Sequence, residues 1–265
     1  ELAHQWWGHQ VTPNYTRGSN LISESLAEYT ALVLAERKYG RDNMQRLLRQ
    51  ELDSYLSGRS RENKKENTFI NCNRAYQWYY KGSLILYGLR DFIGDAQMNK
   101  AIRAFREEFA LKEEPPYAGS NDLYRHFQKV VPDSLKYYLE DTWTKLTLYE
   151  NKLEEAKVVK TKDNKYEVTL KLNTQKLYAD SLGMETKAKY PGDYIEVGIF
   201  APETTNEQGR KVTNPIYIKK HKLAPGQHTL KILVDKEPKK AGIDPYNKLI
   251  DRRPDDNILN VDLES

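Results

Sequence analysis

The feature that most constrains this chain is a change of hydrophobic period near residue 150. Up to about residue 145 apolar residues recur at helical spacing: Ile22, Leu26, Tyr29 and Val33 form one stripe, and Met44, Leu47, Leu48, Leu52 and Tyr55 a second. Ser19 or Asn20 can cap the first helix and Gly40 can stop it, while Gly58 can stop the second. The polar stretch from Arg59 to about Arg74 has no period and reads as a surface loop. Helical texture resumes over Tyr79–Ile93. Gly94-Asp95 breaks it ahead of a stripe of Met98, Ile102, Phe105 and Phe109, and Pro115-Pro116 ends that region. Ser120 and Asp133 read as N-caps of two short helices, with Leu123 and Phe127 in one and Leu135 and Leu139 in the other. After about Leu153 the period becomes two. Tyr166, Val168, Leu170 and Leu172 alternate with polar residues, as do Ile195, Val197 and Ile199, and Leu230, Ile232 and Val234. The pattern predicts an α+β chain, with an all-helical part over 1–152 and an antiparallel β-sandwich over 153–265.

Composition removes several classes. The 265 residues include one cysteine, Cys72, which excludes an internal disulfide framework and any multi-cysteine metal site. No apolar run approaches the ~20 residues of a membrane span. A net charge of +4 with nearly balanced signs is no nucleic-acid footprint. An aromatic share of 11% is too rich for a disordered chain. The chain opens on Glu1-Leu2-Ala3-His4 without methionine or a visible signal peptide, and reads as a piece of something longer.

That opening tetrapeptide carries the chemistry. It is His-Glu-x-x-His without its first histidine. Two histidines at i and i+4 share one helix face and reach one Zn²⁺, and the intervening glutamate can take a proton from water beside the metal. Further on stand Ser23-Glu24-Ser25 and Tyr79-Tyr80-Lys81-Gly82. These three elements in this order resemble the gluzincin zinc aminopeptidases, the membrane alanyl aminopeptidase family, over roughly residues 1–150. The resemblance implies Zn²⁺ as cofactor, His4 and Glu24 as metal ligands, Glu1 as general base, Tyr79 as the donor to the transition-state oxyanion, and a peptide as substrate. It also implies that the strand part is an Ig-like sandwich. There are departures. Nineteen residues, not the usual eighteen, separate His4 from Glu24, and the loop Thr12–Gly18 can absorb the extra one. Asn-Glu-Gly has become Ser23-Glu24-Ser25. The first zinc histidine and the amine-recognising Gly-x-Met-Glu-Asn segment are not present, so the isolated chain is expected to be inactive. The terminal run from Gly242-Ile243-Asp244-Pro245 to Asp255-Asp256-Asn257 is similar to aminopeptidase-like domains fused behind a bacterial ABC-type permease. That likeness implies a membrane-anchored parent.

Each residue also has a plainer reading. His4 could be a core histidine and Glu24 a solvated helix charge. Glu28, one turn beyond Glu24, fits a supporting or surface carboxylate. His9 does not fit a metzincin motif, because Trp7 and Gln10 stand where glycine and histidine would be needed. Trp6, Trp7 and Tyr80 fit packing, Arg61–Glu66 a solvated loop, and Cys72 an inert thiol. Two other functions compete. One is a non-catalytic gluzincin-like docking module of a transporter, motivated by Ser25 and the shifted spacing. The other is a carbohydrate- or partner-binding sandwich, motivated by Tyr178, Tyr190, Tyr194 and Tyr217.

Overall fold

Glycine and the apolar stripes set the helix boundaries much as their spacing requires. The computed structural model describes residues 1–205, Gly209 and 211–263, so the last two residues of the predicted strand part lie outside it. A 3-10 turn, Leu2–Gln5, opens the chain. A π turn, Leu21–Ser25, runs directly into helix α1, Leu26–Tyr39. Gly40 ends α1 at φ +84°, a conformation that glycine adopts without the cost a Cβ would bring. Helix α2 is Gln45–Arg61. A second π turn, Gln77–Lys81, leads into α3, Gly82–Phe109, which kinks where Gly94 takes φ +79°. Helices α4, Ser120–Gln128, and α5, Lys136–Trp143, complete the helical part.

Three expectations are corrected here. Helix α2 does not stop at Gly58 but continues to Arg61. Gly58 serves close packing instead, because a Cβ there would lie 2.4 Å from the Tyr76 side chain. The stretch after it is a solvated loop only in part: Arg61, Asn63, Lys64 and Lys65 are exposed as expected, but other residues in it are not. Arg59 and Glu66 are buried, and Phe69 packs edge-on against Trp143 at 5.0 Å between ring centroids. Mixed charge allowed this burial, since Glu66 accepts from Lys81 Nζ at 3.0 Å and from the Tyr55 hydroxyl at 2.8 Å. Finally, Gly119 rather than Ser120 precedes α4, its amide bonding the Asp122 carboxylate, and Asp133 opens a 3-10 turn after Pro132.

The strands begin slightly before the expected change of period, with β1, Leu146–Tyr149. β2 (Lys152–Lys160), β3 (Tyr166–Thr174), β4 (Lys176–Ala179), β5 (Glu185–Lys187), β6 (Asp193–Thr205), β7 (Lys211–Leu223), β8 (Gly226–Val234), β9 (Lys240–Ile243), β10 (Ile258–Asn260) and β11 (Asp262–Leu263) follow. They form sheets ordered β1-β4-β5, β10-β9-β6-β7 and β11-β2-β3-β8. Pairing is antiparallel throughout except that β11 runs parallel to β2. The alternation read from the sequence is the burial pattern of β3, where Val168, Leu170 and Leu172 are inaccessible to solvent. In β6 Ile195, Val197 and Ile199 are inaccessible as expected, but Glu196 and Gly198 between them are buried as well, so both faces of that strand are covered. These apolar residues of β3 and β6 share one cluster with Leu26, Leu89, Phe105 and Trp143 of the helices. A second cluster packs Leu48, Leu52 and Tyr55 of α2 against Leu148, Leu177 and Ile250. Helices and strands are therefore held by shared cores. No helix among the described residues is long and apolar enough to cross a membrane.

The terminal segment fastens the two parts by polar contacts. Asp244 accepts from the amides of Lys248 and Leu249, and Asp251 from those of Asn151 and Arg253. Lys248 Nζ lies 2.7 Å from Glu196 of β6 and 3.0 Å from Asp91 of α3. Burial pushes the Asp251 carboxyl up to about 6 and holds Lys248 below the ordinary lysine range.

Candidate active site

His4 is presented by the opening turn, which is 3-10 rather than the α-helix that the His-Glu-x-x-His spacing assumes. The amides of Trp6 and Trp7 both bond the Ala3 carbonyl. Trp7 is buried, and its indole donates to Thr30 Oγ1 of α1 at 3.2 Å, which pins the turn to the helix behind it. Gly8 follows at φ +109° and lets the chain reverse.

The His4 ring is oriented by its neighbours. Nδ1 lies 3.1 Å from the Trp7 carbonyl. A carbonyl can only accept, so Nδ1 is the donor in this contact, and Nε2 is the ring nitrogen left to face outward. Nε2 faces the Glu24 carboxylate at 3.6 Å, and both side chains are about a quarter exposed. Glu24 stands on the first π turn, where the Ser23 hydroxyl donates to its Oε1 at 3.2 Å. Glu1, His9 and Ser23 line the same open cleft, of about 620 Å³, as His4 and Glu24. Glu1 is exposed at its rim.

Tyr79 belongs to this neighbourhood although 53 residues separate it from Ser25. It stands on the second π turn, which packs against the first so closely that a Cβ on Gly82 would meet Ser25 Oγ at 2.2 Å. Partial desolvation, then the carboxylates of Glu24 and Glu28, hold its phenol above the ordinary tyrosine value. Glu28 is also raised: burial and Glu24 outweigh the opposite pull of the chain's amino terminus and His4. Tyr80 is exposed, and Cys72 is buried with its thiol pushed up to about 12, as an inert thiol should be. Tyr178 is engaged within the fold, donating to Asp141.

Two features gave no signal in the sequence. Lys81 is buried within the Tyr-x-Lys-Gly element, paired with Glu66. Glu51 of α2 accepts from the Ser83 hydroxyl at 2.9 Å, and burial pushes its carboxyl up to about 7. Both lie on helices whose reading rested on apolar positions.

The donor set suits a divalent metal. The imidazole Nε2 and the carboxylate that face each other are both groups that bind divalent cations. Their 3.6 Å separation is close to the ~3.3 Å between two ligand atoms on a tetrahedral zinc ion. Among the described residues no group of three His, Cys, Asp or Glu side chains converges to hold a metal.

The peptidase family M1 domain matches residues 1–143. Similar solved structures include Legionella pneumophila aminopeptidase A in complex with aspartic acid, at 14% identity over 95% of this chain with a TM-score of 0.49. They also include a mutant M1 zinc metallopeptidase from Deinococcus radiodurans bound to a Tyr-Ser-Ala substrate, at 22% identity over 54% of this chain with a TM-score of 0.41. The chain spans 26% of the first and 31% of the second. No curated protein matches.

Proposed function

This chain belongs to peptidase family M1, and we propose from that membership that it carries part of the centre of a zinc aminopeptidase. His4 and Glu24 would hold the metal, with a third ligand from the histidine that the family pattern places immediately ahead of Glu1. Zinc in such a site supplies Lewis-acid polarisation of the scissile carbonyl and of the attacking water. Glu1, at the rim of the cleft, takes the water proton and delivers it to the leaving amine. Tyr79 donates its phenolic proton to the oxygen that gains charge as the carbonyl is attacked.

The observation that carries this reading is the meeting of His4 Nε2 and Glu24 with Nδ1 already committed to Trp7. The Ser-Glu-Ser sequence and the nineteen-residue spacing motivate the competing reading of a non-catalytic docking module. That spacing does not keep the two donors apart. The π turn, whose Leu26 amide reaches back five residues to Leu21, offers a second place besides the Thr12–Gly18 loop for the extra residue. The Ig-like form of the strand part and a membrane-anchored parent belong to the same proposal.

The test is hydrolysis of aminoacyl substrates by a longer chain that includes the residue ahead of Glu1. Turnover that needs zinc and is lost in Glu1→Ala supports the reading. A zinc-loaded protein with no peptidase activity on aminoacyl or internally blocked peptides supports the docking module.

A further inference from the structure

The two π turns leave a specific backbone group unpaired. In the second turn the Gly82 amide donates to the Gln77 carbonyl, five residues back, instead of to Trp78, four residues back. The Trp78 carbonyl, next to Tyr79, therefore loses the donor that a regular α-helix would give it. Ser25, adjacent to Glu24, supplies a replacement: its hydroxyl donates to the Trp78 carbonyl at 2.5 Å. Ser25 is wholly buried, so water cannot take its place. The contact is tight on both sides, since Gly82 has no room for a Cβ against Ser25.

The rest of the turn is held from the far side. Gln77 is buried, its side chain accepting from the amides of Asn73 and Arg74 and donating to the Asn67 carbonyl. Lys81 is fixed on Glu66 at 3.0 Å. Two side-chain hydrogen bonds tie the turn to the element that bears Glu24: the Tyr79 phenol bonds the Glu24 carboxylate directly, and the Ser25 hydroxyl holds the backbone that carries Tyr79. From this geometry we propose that Ser25 is a positioning residue: its hydroxyl locks the distance between Glu24 and Tyr79 by capping the carbonyl that the π turn exposes. Ser25 stands where the family pattern has glycine, which has no hydroxyl to donate. In this chain the departure from the pattern is thus a device rather than a loss.

The catalytic part of the proposal rests on the peptidase reading; the structural part does not. Two measurements separate them. The first is amide hydrogen exchange on the chain itself, comparing Ser25→Ala with the unsubstituted protein. Faster exchange at residues 78–82 with unchanged exchange in α2 is expected. Unchanged exchange at 78–82 overturns the lock whatever the chain's activity. The second is a double-mutant cycle in the zinc-loaded longer protein. Ser25→Ala should lower kcat roughly 5- to 50-fold with KM and bound zinc unchanged, the scale expected when a reacting group is misplaced. In a Tyr79→Phe background the same substitution should have no further effect. Equal losses in both backgrounds, or loss of zinc with Ser25→Ala, would overturn the assignment to Tyr79. If the unsubstituted protein hydrolyses nothing, the peptidase reading falls, and the exchange result alone upholds or overturns the lock.

Discussion

The opening turn and the terminal segment are both dense in polar residues, yet they differ in what those residues do. In the terminal segment Asp244 and Asp251 are almost inaccessible, and their oxygens are taken by amides of their own loop and of Asn151. At the opening turn His4 and, across from it on the first π turn, Glu24 remain a quarter exposed and face each other at 3.6 Å, a separation too long for a hydrogen bond. A saturated acceptor stabilises a fold, whereas an imidazole nitrogen and a carboxylate oxygen left facing each other at ligand spacing are of the kind that a cation could bridge. The comparison teaches that a run of conspicuous residues marks chemistry only where bonding capacity is left over.

Substitutions should separate the two regions. The largest effect belongs to the opening turn: in the zinc-loaded longer protein, Glu1→Ala should lower kcat by ~10²–10⁴-fold while the melting temperature hardly moves, because Glu1 is exposed. Comparable turnover in the variant would remove Glu1 from the mechanism. Next comes the terminal segment. Lys248→Ala leaves Glu196 buried without its cation, and should cost about 3 kcal/mol in denaturant unfolding with bound zinc unchanged in the surviving folded protein. A variant as stable as the parent would show that the segment does not fasten the halves as described.

A smaller effect tests a group between the two. Glu51 has its folded pKa raised from 4.5 to about 7, so the folded state holds a proton that the unfolded state has released. Its contribution is favourable below pH 4.5 and is lost as pH rises toward 7. Glu51→Gln removes that loss. The variant should gain on the parent between pH 4.5 and 7 by on the order of 1 kcal/mol, allowing for partial exposure. A stability difference that stays flat over that range would contradict the burial of this carboxyl.

Much of the architecture was legible because it rests on periodicity. Gly40 and Gly94 stand at the breaks their sequence implied, and Val168, Leu170 and Leu172 point into the core as alternation requires. What escaped notice rests on pairing between distant residues. Arg59 and Glu66 read as solvated because polarity in a sequence carries no record of a partner, and here the partner, Lys81, lies 15 residues beyond Glu66. Gly58 read as a stop because nothing local reveals that Tyr76 will press against it. For the site, Glu1, His4, Glu24 and Tyr79 are proposed from motif order. The structure places His4 against Glu24 and brings Tyr79 beside Glu24. The π turns that carry two of them had no signature in composition or spacing, since an i→i+5 bond uses the same residue types as an i→i+4 bond.

The most direct measurement is metal content. A longer protein that includes the residue ahead of Glu1 would be purified, stripped with chelator, reloaded with zinc and assayed for zinc per chain beside Glu24→Ala. About one zinc per chain, lost in Glu24→Ala with the fold intact, is the expected result and would make Glu24 a ligand despite its nineteen-residue distance from His4. Equal zinc in both proteins, or none in either, would contradict the central claim that His4 and Glu24 converge to hold a metal.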